Sequence, residues 1–241
     1  MKSSKKEGSI KPLKRKSYGS IPHIPGSRLG VGDKTIVEGQ EKIATLLLRD
    51  RFDEVIVQEK LDGSCMAVAK IKGEIVALSR AGYLAETSPY LQHQYFSQWV
   101  KRNQELFLNL LHEKERIVGE WLSMAHGIRY ELDHAPFVVF DIMSEAKRIP
   151  YDLFKMRVGC ALPTPYLIHR GGPLSIENLK KLIKVSYHGG EFSEGAVYRI
   201  QRKGEVDFLT KWVNGKHKCG SYFVDEKSGE APIWNWLPPQ C

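Results

Sequence analysis

Two stretches of this chain turn on the same tripeptide. Lys72-Gly73-Glu74 separates residues 66–71 from 75–79, and Lys203-Gly204-Glu205 separates residues 196–201 from 206–213. Each flank is a short run rich in apolar and β-branched residues. Polar turn residues with a central glycine between two such runs predict β-hairpins. Further strands are expected at 55–57, 117–122 and 137–142. In the last of these, period-2 alternation predicts Phe140 and Asp141 on opposite faces. Helices are expected at 41–49, 91–111 and 175–185, the last with Ser175 as N-cap. Leu91, Tyr95, Trp99, Leu106 and Leu110 fall near one face of the longest helix and predict a core stripe. Trp121 reads as core as well. Strands and helices mix without the regular alternation of a doubly wound fold. The expected class is therefore α+β with antiparallel sheets.

The chain has 241 residues, 42% of them hydrophobic and 27% charged, which is enough to bury a core. No apolar run approaches the roughly 18 residues of a membrane span. No charged stretch leads into an apolar one as a secretory signal would. These features exclude a membrane protein, a collagenous chain and a wholly disordered one, and they predict an intracellular protein, cytoplasmic or nuclear. The net charge is +8, and residues 1–16 carry +6 of it, with Lys2, Lys5, Lys6, Lys11, Lys14, Arg15 and Lys16 against Glu7. A basic, disordered tail is expected at 1–17, on a near-neutral domain at 18–225. Such a tail favours a polyanionic partner. Lys11-Pro12-Leu13-Lys14-Arg15-Lys16 also has the composition of a nuclear signal. Residues 226–241, rich in Pro and Trp, are expected to form an irregular tail packed by Trp234 and Trp236.

The cysteines, Cys65, Cys160, Cys219 and Cys241, are scattered. They have no zinc spacing, and His217-x-Cys219 is too little to make a metal site. Four cysteines in a chain this long do not suggest a disulfide framework, so a reducing compartment is expected. His112-Glu113-Lys114-Glu115-Arg116 begins like a zincin motif but lacks the second histidine.

Glu59-Lys60-Leu61-Asp62-Gly63-Ser64 follows directly on an apolar strand. A lysine at a strand end, before a turn containing Asp and Gly, is held at the edge of a cleft. Arg80 closes the next hairpin. Gly119-Glu120-Trp121 sits in a strand, and Phe140-Asp141 in another. Glu194-Gly195-Ala196-Val197-Tyr198-Arg199 opens a further strand, and Lys211 lies on the one after it. In order and spacing, this set resembles the covalent nucleotidyltransferases, and within them the ATP-dependent RNA ligases. Lys60-Leu61-Asp62-Gly63 matches their KxDG motif. In RNA ligases a glutamate commonly precedes the nucleophilic lysine, and Glu59 fits. The resemblance spans residues 18–225.

The resemblance implies a nucleotidyltransferase (ATP-grasp-like) domain of antiparallel sheets flanked by helices. It implies an enzyme that joins 3′-OH and 5′-phosphate ends of RNA, with ATP as AMP donor and Mg2+ or Mn2+ as metal. The route would pass through a lysyl-AMP intermediate and an adenylylated 5′ end. Lys60 would be the nucleophile and Asp62 would orient the loop. Glu59 would help select adenine, Phe140 would stack on it, and Glu120 would accept from the ribose hydroxyls. Arg80 would hold the ribose or the 3′-OH end. Arg199 and Lys211 would contact the α-phosphate. Glu194 would place metal or the nucleophile. Tyr18 and His23 lie where such folds place elements that help with pyrophosphate. A free lysine, with a pKa of about 10.4, is protonated at neutral pH. Lys60 is therefore expected to be shifted towards roughly 7–8 by Arg80, Arg199, Lys211 and bound metal. The partners implied are RNA ends or nicks, including RNA/DNA hybrids, and a protein that prepares the ends.

Two features depart from the family pattern. Its closing motif is often Lys-x-Lys, whereas Leu209 stands two before Lys211 here. Only 30 residues follow Lys211. No C-terminal OB-fold or helical domain is therefore expected, and the basic tail would grip the polynucleotide. Related readings are a DNA ligase, a capping guanylyltransferase and a catalytically inactive domain that binds nucleotide or RNA.

Overall fold

The computed structural model describes residues 11–223 and 231–239. Lys2, Lys5, Lys6 and Cys241 lie outside the described residues, as does part of the expected C-terminal tail. Two antiparallel sheets face each other. The first holds five strands, β2 (Ser64–Ile71), β3 (Glu74–Ser79), β4 (Glu115–Trp121), β5 (Phe137–Ser144) and β6 (Lys147–Arg148), in the order β3-β2-β4-β5-β6. The second sheet joins β1 (Asp53–Lys60), β7 (Leu167–Gly171), β8 (Gly195–Arg202) and β9 (Glu205–Val213) in the order β7-β1-β8-β9.

Both expected hairpins form, as β2–β3 and β8–β9. Lys72 and Gly73 have φ of 53° and 80°, and Lys203 and Gly204 have 52° and 79°. Two successive left-handed residues match the right-handed twist of the flanking strands, which is why the tripeptide recurs. Ser175 caps its helix, α5 (Ile176–Leu182), by accepting from the Asn178 N–H. The helix expected at 41–49 is shorter, α1 (Gln40–Thr45).

The helix expected over 91–111 is two helices, α2 (Leu91–Arg102) and α3 (Gln104–Leu110). Asn103 breaks it, and its side-chain amide donates to the Trp99 carbonyl. Short amides compete with backbone hydrogen bonding in this way. The core stripe follows the two axes. Phe96, Trp99, Val100, Phe107 and Leu110 pack with Trp121 and Phe137 on the outer face of the five-stranded sheet, and Leu91 is exposed. Helix α4 (Tyr151–Val158) closes the same layer. On the other side of the molecule, α1 and α5 cover Val55, Val57, Tyr198 and Trp212.

Phe140 and Asp141 do not take opposite faces. In the β4–β5 register Val118 pairs with Asp141 and Gly119 with Val139, leaving Phe140 unpaired in a bulge. The extra residue breaks the alternation. Tyr18 meets both side chains, with its ring 5.3 Å from Phe140 and its hydroxyl donating to Asp141 at 2.5 Å.

The tail expected at 1–17 is placed against the domain from residue 11 onward. The Ser17 N–H donates to the Arg80 carbonyl, the Arg116 guanidinium donates to the Ser17 carbonyl, and Lys11 lies 4.3 Å over the Tyr83 ring. Backbone bonds and a cation–π contact hold a segment that charge alone would leave in solvent. Trp234 and Trp236 pack on Tyr95 and Trp121. Cys65, Cys160 and Cys219 are free. Among the described residues no helix is long and apolar enough to cross a membrane.

Candidate active site

Lys60 is the last residue of β1 and pairs with Gly195 of β8. Ser64, four residues on, pairs with Trp121 in the other sheet. The KxDG turn thus carries the chain from one sheet to the other. A Cβ at Gly63 would lie 2.6 Å from the Trp121 carbonyl oxygen, so no side chain fits there. The Gly63 N–H donates to Glu120, and the Asp62 N–H donates to the Tyr130 hydroxyl at 2.9 Å. Tyr130 is buried and carries no motif, so its part in fixing the turn was not visible in the sequence.

Alternation along β1 decides where each side chain goes. Val55 and Val57 face the α1–α5 side, and Lys60 takes the opposite face, into the gap between the sheets. Arg80, Glu120, Phe140, Arg199 and Lys211 line the same cleft, and Glu59 borders it. Residues scattered over the sequence are brought together around one amine. Glu59 itself, expected to select adenine, has its carboxylate directed away. That group accepts from the Tyr187 N–H at 3.1 Å, with Ser186 and Ser193 beside it. As the neighbour of Lys60 on a strand, it must point to the other face.

Lys60 Nζ lies 2.6 Å from Glu194 Oε2 and 3.3 Å from the Leu61 carbonyl oxygen. The protein's own side chains do not shift its ammonium down. Burial lowers its pKa, but Glu194, Glu120 and Asp62 outweigh burial and hold it above the ordinary lysine value. The expected cations are present in the cleft, but the carboxylates dominate its field. Burial pushes Glu120 up to about 7 and raises Glu194 as well. Lys211 is pulled below its ordinary value, by burial first and then by Lys60.

Arg199 has a second engagement that the sequence did not reveal. Its Nη2 donates to Asp141 Oδ1 at 2.5 Å and to the Phe140 carbonyl at 3.0 Å. Nε and Nη1 are buried without a hydrogen-bond partner among the described residues. Asp141 also accepts from Arg148 Nε at 3.1 Å. Arg80 donates to Gly19 O and Ser20 Oγ. His23 lies 3.0 Å from Asp33, and its strand-like segment pairs with Lys211. Beside the cleft lies a second cavity, which shares Cys65 and Arg80 with it and is lined by Ser64, Ser88, Tyr90 and His93.

His217 was set aside in the sequence. The structure buries it beside Asp62 and Glu194. It stands six residues after Lys211, in a loop with no metal-ligand spacing around it, so the sequence carried no signal beyond the residue type.

The "RNA ligase" family model matches residues 53–213, which holds every strand of both sheets. Among solved structures, Naegleria gruberi RNA ligase with pyrophosphate aligns with a TM-score of 0.51 at 19% identity, covering 80% of this chain and 59% of that one. A mutant of the same protein with ATP and Mn aligns with a TM-score of 0.53 at 20% identity, covering 80% and 58%. At this identity the likeness speaks for the fold, and the chain spans about three fifths of the length of these relatives. A search of curated protein sequences gives no match. The family match covers well over half of the sequence, so the chain belongs to the RNA ligase family.

Proposed function

We propose that this chain is an ATP-dependent RNA ligase that works through a lysyl-AMP intermediate. The observation that carries the reading is the setting of Lys60. A half-buried amine at a strand end, held by Glu194, faces a cleft with three cationic side chains and an aromatic ring. That is the equipment for attack on an α-phosphate, since phosphoryl transfer is mostly positioning and charge stabilisation.

In the first step Lys60 Nζ, once deprotonated, attacks the α-phosphorus of ATP. An N–P bond forms, and the bond to the pyrophosphate oxygen breaks. Lys211, Arg80 and the free nitrogens of Arg199 offset charge on the α-phosphate. Phe140 stacks on adenine and Glu120 accepts from the ribose. In the second step a 5′-phosphate oxygen displaces Lys60 from the AMP phosphorus. In the third, a 3′-OH attacks the adenylylated end and AMP leaves with its electron pair. Asp62 and Glu194 fit a divalent cation, because two buried carboxylates lie beside each other. Such a cation, when bound, would offset the carboxylates that hold Lys60 protonated and would add positive charge at the phosphates.

The second cavity suits the polynucleotide end. The hydroxyls of Ser64, Ser88 and Tyr90 can bond ribose and phosphate, and Arg80 joins this cavity to the cleft. Lys11, in the basic segment, lies over the ring of Tyr83, which lines the same cavity. Binding of RNA there weakens with salt. RNA ends or nicks, RNA/DNA hybrids and an end-preparing partner are the partners this reading allows.

The test is incubation with α-labelled ATP and Mg2+ or Mn2+, followed by a denaturing gel, with Lys60→Ala alongside. Wild type is expected to carry label and Lys60→Ala none. Label surviving on the variant would move the nucleophile elsewhere. Labelling by GTP instead of ATP would favour the capping reading. Trials with RNA and DNA ends then decide which polynucleotide is sealed.

A further inference from the structure

We propose that His217 is a nitrogen ligand in a divalent-cation site completed by Asp62 and Glu194, and that it tunes the site towards Mn2+ over Mg2+. The inference rests on the metal-dependent reading above and adds the residue that sets the choice of metal. His217 lies in the loop after β9. Its N–H donates to the Asn214 carbonyl, and its own carbonyl accepts from Arg28 Nη1. The residue is 2% exposed, and its ring lies 6.3 Å from the Phe192 ring and against Gly127, where a Cβ would stand 2.5 Å from its Cε1. The imidazole is therefore fixed in place from both sides.

What it faces is unusual. Nε2 lies 3.8 Å from Asp62 Oδ2 and 3.8 Å from Glu194 Oε1. That is too far for a hydrogen bond. Nδ1 is buried with no hydrogen-bond partner among the described residues. An imidazole packed against two carboxylates would normally close onto one of them. Donors bound to one ion at about 2.0–2.2 Å instead stand roughly 3–4 Å apart, as the imidazole nitrogen does from each carboxylate oxygen. The three donor atoms lie within 4.8 Å of one another, and all three residues are buried.

The carboxylates are positioned for the same task. Glu194 gives Oε2 to Lys60 and turns Oε1 to the histidine. Asp62 Oδ2 accepts from the Gly127 N–H at 2.6 Å, which fixes its direction. A cation held here would touch the carboxylate that holds the nucleophile. An imidazole ligand favours transition ions, whereas Mg2+ prefers an all-oxygen octahedral shell.

The experiment measures Mn2+ binding to the full chain without nucleotide, by the loss of the free-ion electron paramagnetic resonance signal, with Mg2+ as competitor. His217→Ala is expected to weaken Mn2+ binding by about 10-fold or more, with Mg2+ binding changed by less than about 2-fold. Equal loss of both metals, or no loss of Mn2+, would overturn the proposal. A second measurement needs no variant. Pulsed resonance on Mn2+-loaded wild type should show coupling to 14N, and its absence would also sink the inference. AMP labelling is scored separately. Nitrogen-bound Mn2+ without any labelling would keep the metal site and remove the ligase reading, and labelling without nitrogen coupling would do the reverse.

Discussion

Two buried ion clusters hold the sheets together at the cleft, and their charge balance is opposite. At Asp141, one carboxylate meets two guanidiniums and a phenol, from Arg199, Arg148 and Tyr18. At Lys60, one ammonium meets three carboxylates, from Glu194, Glu120 and Asp62. In the first cluster the carboxylate is partnered on both oxygens and cations are in excess. Burial and the nearby Asp141 keep the Tyr18 phenol protonated, so it donates. The second has more anions than cations, and burial answers by pushing two carboxyls up the pH scale. A carboxylate partnered on both oxygens fixes a structure. A cluster short of positive charge is a place where a cation or a reaction can act.

The largest effects should separate the two clusters. Lys60→Ala is expected to lower AMP labelling at least about 1,000-fold, as loss of a covalent nucleophile does. Its cost in stability should be small at pH 5, about 1 kcal/mol or less, because Glu194 can take up a proton close to its ordinary range. Asp141→Ala should do the reverse. It strands Arg199, 3% exposed, with only the Phe140 carbonyl, and such a loss costs about 3–5 kcal/mol. Urea titration of both variants at pH 5 checks the contrast. Equal destabilisation would mean that the two clusters are energetically alike.

Glu120 gives a pH signature for the anionic cluster. Burial holds it at about 7 in the folded protein, against 4.5 ordinarily. Between those values the folded state binds a proton that the unfolded state has released, so this group lowers stability as pH rises through the window. Glu120→Gln keeps an acceptor for the Gly63 N–H and removes the titration. It is expected to leave stability at pH 4.5 unchanged and to raise it by about 1–2 kcal/mol at pH 8. Parallel pH profiles of wild type and variant would show that Glu120 does not titrate in that window.

The sequence made the hairpins legible because glycine at a left-handed turn and alternating strands are local signals. The motif residues were legible because their order and spacing along the chain resemble a family pattern, with Lys60 at the end of β1 and Glu194 just before β8. Three kinds of feature were not. The Phe140 bulge depends on the partner strand, which alternation within one strand cannot reveal. β7 is an edge strand with no residue fully buried, so Leu167–Gly171 shows no inward face. α4 did offer a signal, with Pro150 before it and Tyr151, Phe154 and Val158 buried along one face. The charge balance at Lys60 was not legible because it depends on burial and on Glu120 and Glu194, which are distant in sequence, together with Asp62.

A third ion cluster, at the far end of β1, tests whether the balance of charge around a carboxyl sets the sign. Asp53 is bound by Arg49 at 2.8 Å and by Arg202 at 2.8 Å, and it also accepts from the Arg49 N–H. Burial raises its carboxyl, but the bonds from Arg49 and Arg202 outweigh burial and hold it at about 2, against 3.8 ordinarily. A depressed carboxyl contributes stability that is present above pH 3.8 and lost as pH falls towards 2. Arg49 and Arg202 are partly exposed, at 37% and 29%, so solvent screens the gain to about 1–2 kcal/mol. Asp53→Asn should therefore cost about that much at pH 6 and nothing at pH 2. That is the opposite slope to Glu120→Gln, in the same protein and by the same measurement. If both variants shifted stability in the same direction with pH, the balance of cations and anions around each carboxyl would not be what sets its sign.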